Sequence, residues 1–196
     1  MKSFFAVLGA GIILFCTLPY IVNIVRGRTK PNIVTWFTWS LLVGIGTAAL
    51  FAAHETRAAW LLLSDTISTF AVVLFGLKYG IAKLDVFDGL CQLGAVIGVV
   101  LWFVFNSPLI AIASTILIDF IGTVPTLRHS WSRPDEETSI TYVLGIMATT
   151  FTLLSLRSYE FTAWVYPAYL LVSNTLLVVT ISHGHRLVLR RSVTPT

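Results

Sequence analysis

The sequence predicts an all-α integral membrane protein of seven transmembrane helices, built as two parallel three-helix repeats and one linker helix. The chain of 196 residues is 56% hydrophobic and only 11% charged, which is more apolar surface than a water-soluble core absorbs. Apolar runs long enough to cross a bilayer, about 20 residues each, recur along it. Three groups of residues in the first half also return in order in the second half.

The apolar runs define the predicted helices in chain order. They cover 4–25, 33–53, 58–77, 86–105, 109–127, 138–156 and 162–182. Membrane strands would alternate polar and apolar residues, whereas these runs are apolar on all sides. The first run is too long for a signal-peptide core and lacks a cleavage pattern, so we expect it to be helix one. Cys16 and Cys91 lie inside runs, which predicts two apolar thiols with no disulfide or metal role.

The basic residues predict the orientation of these helices. One set of loops carries only Lys2, Arg57 and Arg157. The other set carries Arg26, Arg28, Lys30, Lys78, Lys83, Arg128, Arg133, Arg186, Arg190 and Arg191. The positive-inside rule then predicts a multi-pass protein of the cell membrane with its N-terminus outside and its C-terminus in the cytoplasm. The basic loops would face anionic lipid, and a nucleic-acid interface is the weaker interpretation.

The internal repeat divides the chain. In helices one and five, Thr17-Leu18-Pro19 matches Thr123-Val124-Pro125. Helices two and six share one spacing, at Pro31, Thr35, Thr38 and Trp39 and at Pro134, Thr138, Thr141 and Tyr142. In helices three and seven, Leu62–Thr66 matches Leu171–Thr175. Helix four has no counterpart, and one extra helix between two odd-numbered repeats gives them the same orientation. We expect the first repeat at 1–80, the linker helix at 81–106, the second repeat at 107–185 and a basic cytoplasmic tail at 186–196.

With this plan the chain resembles the SWEET and PQ-loop superfamily of transporters. The resemblance is closest to an unassigned bacterial branch, through Arg28-Thr29-Lys30-Pro31, Thr35-Trp36-Phe37-Thr38-Trp39 and Pro134-Asp135-Glu136-Glu137-Thr138. The glutamine that follows the helix-one proline in that superfamily is Tyr20 here and Thr126 in the second repeat. The prolines of helices two and six stand at the helix starts. The resemblance implies solute transport by alternating access.

Asp65 and Asn174 occupy equivalent positions in helices three and seven, beside Ser64 and Ser173. The resemblance implies that this pair of positions holds the substrate. A polar pair inside a membrane costs free energy, so it needs a reason, and binding a polar solute supplies one. The alternative is a pair that joins helices by hydrogen bonds. Asp65 also adds a titratable group, which favours proton coupling or cation selectivity unless it stays protonated.

Two aromatic and two proline positions complete the predicted site. Trp39 and its repeat partner Tyr142 offer flat surfaces for a sugar ring or a cation, whereas the pattern around Trp36 is typical of an interfacial tryptophan. Pro19 and Pro125 each free a carbonyl group upstream, which allows either paired gating bends or static kinks.

The remaining acids and histidines have simpler interpretations. Asp119 lies inside helix five, where the first repeat has Ile13; with Asp65 it would form a proton relay, or it is buried and neutral. We interpret the acids at the starts of helices four and six as helix caps. They are Asp85, Asp88, Asp135, Glu136 and Glu137. His183-Gly184-His185 is interpreted as a solvated tail rather than a weak metal site.

The expected function is therefore a carrier of a small polar solute, most of all a sugar-like one. The alternative is a non-transporting receptor on the same fold, binding a small ligand or a peptide. An enzyme is not expected, because no histidine lies within a span and neither a Ser-His-acid triad nor a zinc site is easily assembled. No cofactor is expected. The expected partners are the solute and the bilayer, with no nucleic acid; a homo-oligomer is allowed but not required.

Overall fold

The computed structural model describes residues 2–52, 56–104, 108–156 and 161–193, and the regular structure in these ranges is entirely helical. The elements are α1 (Lys2–Cys16), α2 (Leu18–Val25), α3 (Ile33–Ala52), α4 (Thr56–Tyr79), α5 (Val86–Val104), α6 (Pro108–Ser132), a short 3-10 helix (Pro134–Glu136), α7 (Ser139–Ser155) and α8 (Phe161–Val193). The all-α prediction is thus confirmed. Each predicted run coincides with a helix, except that 4–25 is divided into α1 and α2. The ends of two runs, Ala53 and Phe105, lie outside the described residues.

Length and composition separate these helices into two groups. Among the described residues, the segments Val7–Val25 and Trp164–Arg186 are long and apolar enough to cross a membrane. Three further helices contain shorter apolar segments, at Ile33–Thr47, Val86–Ile97 and Ser139–Ser155. The seven spans therefore stay a prediction.

The two proline positions differ in their effect on the backbone. The helix is interrupted at Thr17, two residues before Pro19, which has no N–H to donate to the carbonyl of Phe15. Helix α6 instead continues through Pro125. The prolines therefore match in sequence, while only the first stands next to a helix break.

The C-terminal end of α2 and the N-terminal end of α5 follow known capping patterns. Gly27 has φ of 69°, and its N–H donates to the Ile24 carbonyl while the Arg28 N–H donates to the Asn23 carbonyl. This is a Schellman motif, which needs a residue that tolerates a positive φ. At α5, the Asp88 N–H donates to Asp85 Oδ1 (3.0 Å) and the Asp85 N–H donates to Asp88 Oδ2 (2.9 Å). The predicted caps at α5 are confirmed as a reciprocal capping box.

The helices pack in a pattern that is unchanged when the two halves are exchanged. Within the first half α3 and α2 contact α4, and within the second half α7 and α6 contact α8. Between the halves, α1 contacts α7 and α3 contacts α6. Because α6 and α7 match α1 and α3 in sequence, these two interfaces are equivalent under the repeat. Helix α5 packs against α6 and α3.

The basic loops meet at one end of the bundle, called the basic end below. There Lys30 pairs with Glu136 through its ammonium group (2.6 Å) and its backbone N–H (2.9 Å). Arg128 pairs with Asp85, and the Ala82 N–H donates to the Pro31 carbonyl at 3.1 Å. The loops that carry the positive charge are therefore held together by direct contacts.

Helix α8 is longer than the predicted last span. It continues to Val193, well beyond the predicted span and into the segment 186–196. His183 stacks on Trp131 with ring centroids 5.3 Å apart, and His185 Nε2 lies 3.0 Å from Asp135 Oδ1. Both histidines are substantially exposed, in agreement with a solvated segment, but they lie on α8 and contact the end of α6 and the 3-10 helix, so they do not belong to a free tail. Arg186 is exposed, and the side chains of Arg190 and Arg191 lie outside the described residues.

Candidate functional site

A cavity of about 200 Å³ lies between the two halves of the bundle. The α1–α2 junction, α3 and α4 line it from the first half, and α6, α7 and α8 line it from the second. Most of its lining is apolar, with a few convergent polar groups, which is the usual character of a small-molecule site.

The cavity brings together most of the residues that the sequence singled out. Its lining includes Asp65, Asn174, Ser173, Trp39, Tyr142 and Asp119. It also includes Ile13, the repeat counterpart of Asp119, so both members of that pair line the same space. The side chain of Ser64 lies outside the described residues. Pro19 and Pro125 are not among the lining residues, although Thr17 at the helix break is.

Two carboxyl groups line this cavity. Asp119 is only 4% exposed, and its Oδ2 accepts a hydrogen bond of 2.6 Å from the Tyr169 hydroxyl on α8. Asp65 is partly buried on α4. Asp65 and Asp119 are the acidic residues among the described residues that line the cavity, and that lining contains no Lys, Arg or His. The site is therefore acidic.

Asn174 lies in close contact with α7. Its amide nitrogen donates to the Leu170 carbonyl at 2.8 Å, within its own helix. A Cβ atom added at Gly145 would stand 2.5 Å from Asn174 Oδ1, inside van der Waals contact. Gly145 thus provides the space in which the Asn174 amide reaches the cavity.

Three buried polar groups that line the cavity have no hydrogen-bond partner among the described residues. They are Thr17 Oγ1, Thr141 Oγ1 and Trp39 Nε1. Thr17 and Thr141 are 3% and 5% exposed. Because buried polar atoms are nearly always paired, such a group at a cavity wall needs an explanation.

Aromatic rings close the cavity toward the basic end. Tyr20 contacts Trp36 and Tyr142 with ring centroids 4.6 and 6.4 Å apart, and Trp36 contacts Trp39 at 5.1 Å. These four residues form the aromatic cluster. Trp36 is 1% exposed and lines the cavity, so its interpretation as an interfacial tryptophan is wrong. The helices that surround it cover a residue whose sequence position alone suggested exposure.

Glu137 lies beneath the aromatic cluster. Its Oε2 accepts hydrogen bonds from the Tyr20 hydroxyl (2.9 Å) and the Tyr142 hydroxyl (3.3 Å). The residue is 7% exposed and stands before α7, and its burial raises the pKa of the carboxyl group to about 8 against the lowering effect of these hydrogen bonds. The cap interpretation is incomplete for Glu137: the Thr138 N–H at the start of α7 also lowers the pKa of its carboxyl group, but Tyr20 of α2 covers the residue and its Oε2 bonds to two tyrosine hydroxyls.

Residues next to Glu137 also join the two halves. Asn23 Nδ2 donates to Thr138 Oγ1 at 3.1 Å, and the Thr29 hydroxyl bonds to the same oxygen. With the Lys30–Glu136 pair and the Tyr20–Glu137 hydrogen bond, all these contacts converge on 136–138. This group of contacts is called the 136–138 junction below. It holds the halves together at the basic end of the cavity.

Some residues of the site were missed from the sequence. Comparing the repeats at the offset of the Pro31–Pro134 match places Glu137 opposite Val34, so the asymmetry that drew attention to Asp119 would also have identified Glu137. Thr17 and Thr141 stand out only as positions that match between the repeats, and nothing in the sequence distinguishes Tyr169 from the other hydroxyl side chains of these helices.

No known family, curated protein or solved structure matches this chain.

Proposed function

We propose that the chain is a multi-pass membrane carrier, SWEET-like in plan, that moves a small polar solute through the cavity between its two halves. The observation that carries this proposal is the cavity itself. Both halves line it, it contains polar groups from equivalent positions of the repeat, and the 136–138 junction closes it toward the basic end. A site between two repeats that can move against each other suits alternating access.

The outer surface of the helices supports a membrane location. Large apolar side chains are strongly exposed on several helices, including Val7 (73%), Ile67 (63%), Val86 (81%) and Val172 (66%). Many large apolar side chains exposed on several helices are typical of a surface that contacts lipid or another protein. In the proposed orientation the basic end faces the cytoplasm, and the cavity is closed on that side.

The proposal is tested by uptake into proteoliposomes that contain the purified full chain. The probes are radiolabelled D-glucose, D-glucosamine and choline, each with and without a pH gradient. We expect saturable uptake of at least one probe above protein-free liposomes. We also expect faster entry when the lumen is preloaded with the same unlabelled solute, because counterflow requires a carrier.

Matched variants assign that uptake to the cavity. The double variant Asp65→Ala/Asn174→Ala removes the equivalent polar pair, and we expect it to lose the uptake. Asp135→Asn changes an exposed acid outside the cavity and should keep it. Uptake that persists in the double variant would contradict the site. Binding of a probe without flux would contradict the carrier and favour the receptor.

A further inference from the structure

We infer that the cavity selects a small organic cation that also carries an oxygen acceptor, such as an amino alcohol or an amino sugar. This inference rests on the proposed function, because it names the solute class for the same cavity. It depends on three features of the lining: its charge, its aromatic faces and its unpartnered polar groups.

The charge of the lining favours a cation. Asp65 and Asp119 face the cavity, and no basic side chain among the described lining residues balances them. A cationic solute would stabilise the ionised form of these carboxyl groups in a low-dielectric site, where no basic side chain of the described lining does so. The rings of Trp39, Tyr142 and Tyr166 line the same space and attract an organic cation through their faces.

The polar groups distinguish an organic cation from a bare metal ion. No cluster of three or more His, Cys, Asp or Glu side chains occurs in the part of the chain that the structure describes. Trp39 Nε1 is a donor only, and it is buried without a partner. A hydroxyl or ether oxygen of an organic solute would supply the acceptor that this N–H lacks among the described residues, whereas a metal ion would not.

The repeat shows on which side of the cavity the solute binds. Thr17 and Thr141 have unpartnered hydroxyl groups and stand at the interface of the first half with α7. Their repeat counterparts are satisfied: the Thr123 hydroxyl donates to the Asp119 carbonyl at 2.8 Å, and the Thr38 hydroxyl donates to the Val34 carbonyl and to Gln92 Oε1. Equivalent residues thus differ in whether a described residue pairs with the hydroxyl group. We expect the solute to supply the partner that the Thr17 and Thr141 hydroxyl groups lack among the described residues.

The volume of the cavity limits the size of this solute. About 200 Å³ is below the roughly 300–1,000 Å³ of clefts that accept drug-sized ligands. A single sugar ring or a short amino alcohol is therefore the expected scale, and a peptide is not.

The test compares two matched pairs of probes by the melting temperature of the detergent-purified full chain. Choline is paired with its neutral isostere 3,3-dimethyl-1-butanol, and D-glucosamine is paired with D-glucose, at equal concentrations and neutral pH. We expect at least one cationic member to raise the melting temperature and its neutral partner to leave it unchanged. Equal shifts within both pairs, a larger shift with a neutral member, or no shift in either pair would overturn the inference.

Variants then locate the bound cation by isothermal titration with the probe that gives the shift. Asp65→Asn and Asp119→Asn should each weaken binding roughly tenfold or more, because each removes a charged acceptor. Thr141→Val should weaken it about threefold to tenfold, whereas Thr38→Val, its repeat counterpart outside the cavity, should not. Unchanged affinity in both aspartate variants would contradict the assignment even if a cation binds.

The binding measurement separates this inference from the carrier proposal. A cation that binds but is not taken up by proteoliposomes would leave the inference standing and contradict the carrier. Saturable uptake of D-glucose without any binding of the cationic probes would contradict this inference and leave the carrier proposal standing.

Discussion

Asn174 depends on one small neighbour. Its amide oxygen stands where a side chain on Gly145 would otherwise lie, so the position of the amide at the cavity wall requires glycine on α7. The sequence pointed to Asn174 through the repeat, but it gave no reason to connect it with Gly145. Such a contact depends on how two helices cross, which no local pattern encodes.

Gly145→Ala should therefore weaken solute binding while the protein still folds. The added methyl group displaces the Asn174 amide, and we expect affinity for the bound probe to fall about tenfold, which corresponds to about 1.4 kcal/mol. Isothermal titration measures this effect. Gly11→Ala is the matched control, because nothing lies within 4 Å of a Cβ atom at Gly11. Equal affinities in the two variants would contradict the role of the Gly145 contact.

Other single residues show where prediction from the sequence succeeds and fails. Asp65, Asn174, Trp39 and Tyr142 were found because the repeat places them at matching positions, and all four line the cavity. The burial of Trp36 and Glu137 was not anticipated, because a tryptophan or an acid near a helix end is normally at the surface. Their burial depends on neighbouring helices, which a local sequence pattern does not describe.

Between elements, the hydrogen bonds of Glu137 connect α2 with α7. They bring a carboxyl group and two tyrosine hydroxyls together where the halves meet. Because the folded protein raises the pKa of Glu137 to about 8, the native state holds a proton that the unfolded chain releases above its ordinary pKa. The contribution of this group to stability is fully present below the pKa that the carboxyl group has in the unfolded chain, and it is lost as the pH rises through about 8.

Glu137→Gln should remove the loss of stability that the wild type shows as the pH rises through about 8. Glutamine cannot ionise, so at alkaline pH we expect its melting temperature to exceed that of the wild type by about 3 °C or more, the shift that 1 kcal/mol gives in a chain of this size. Near pH 5 the two proteins should differ less. Melting curves from acid to alkaline pH, with Asp135→Asn as the exposed control from the same loop, measure this. Parallel wild-type and Glu137→Gln profiles would contradict it.

The helices themselves were largely predictable, because hydropathy reports long apolar runs directly. The length of α8 was not, since its last turns are polar and basic and resemble a tail. The interruption at Thr17 agrees with a proline two residues later, whereas the same proline position in α6 leaves the helix continuous. Proline removes a hydrogen bond in both places, and the surrounding packing decides whether the helix ends.

At the scale of the whole molecule, the proposed orientation has a direct test. In a Cys16→Ser/Cys91→Ser background, which removes both native cysteines, Lys2→Cys and Arg186→Cys place one thiol at an exposed position on each side. We expect a membrane-impermeant maleimide to label Lys2→Cys on intact cells and to label Arg186→Cys only after permeabilisation. The opposite result would invert the orientation, and labelling of both on intact cells would contradict the arrangement of the spans.

The repeat also explains how much of the molecule could be anticipated. It predicted which helices correspond, and the packing of α1 with α7 and of α3 with α6 agrees with that correspondence. It could not predict the departures from symmetry, such as unpartnered Thr17 and Thr141 opposite satisfied Thr123 and Thr38. These differences depend on single contacts made after the halves assemble.

The 136–138 junction has a consequence for insertions into this chain. Surface loops usually accept added residues, because few contacts depend on their length. Here Tyr20, Asn23, Thr29 and Lys30 all bind three consecutive residues, so a one-residue change in the loop before α7 would shift every partner at once. An epitope tag or fluorescent reporter is better placed beyond Val193, at the end of α8, than between α6 and α7.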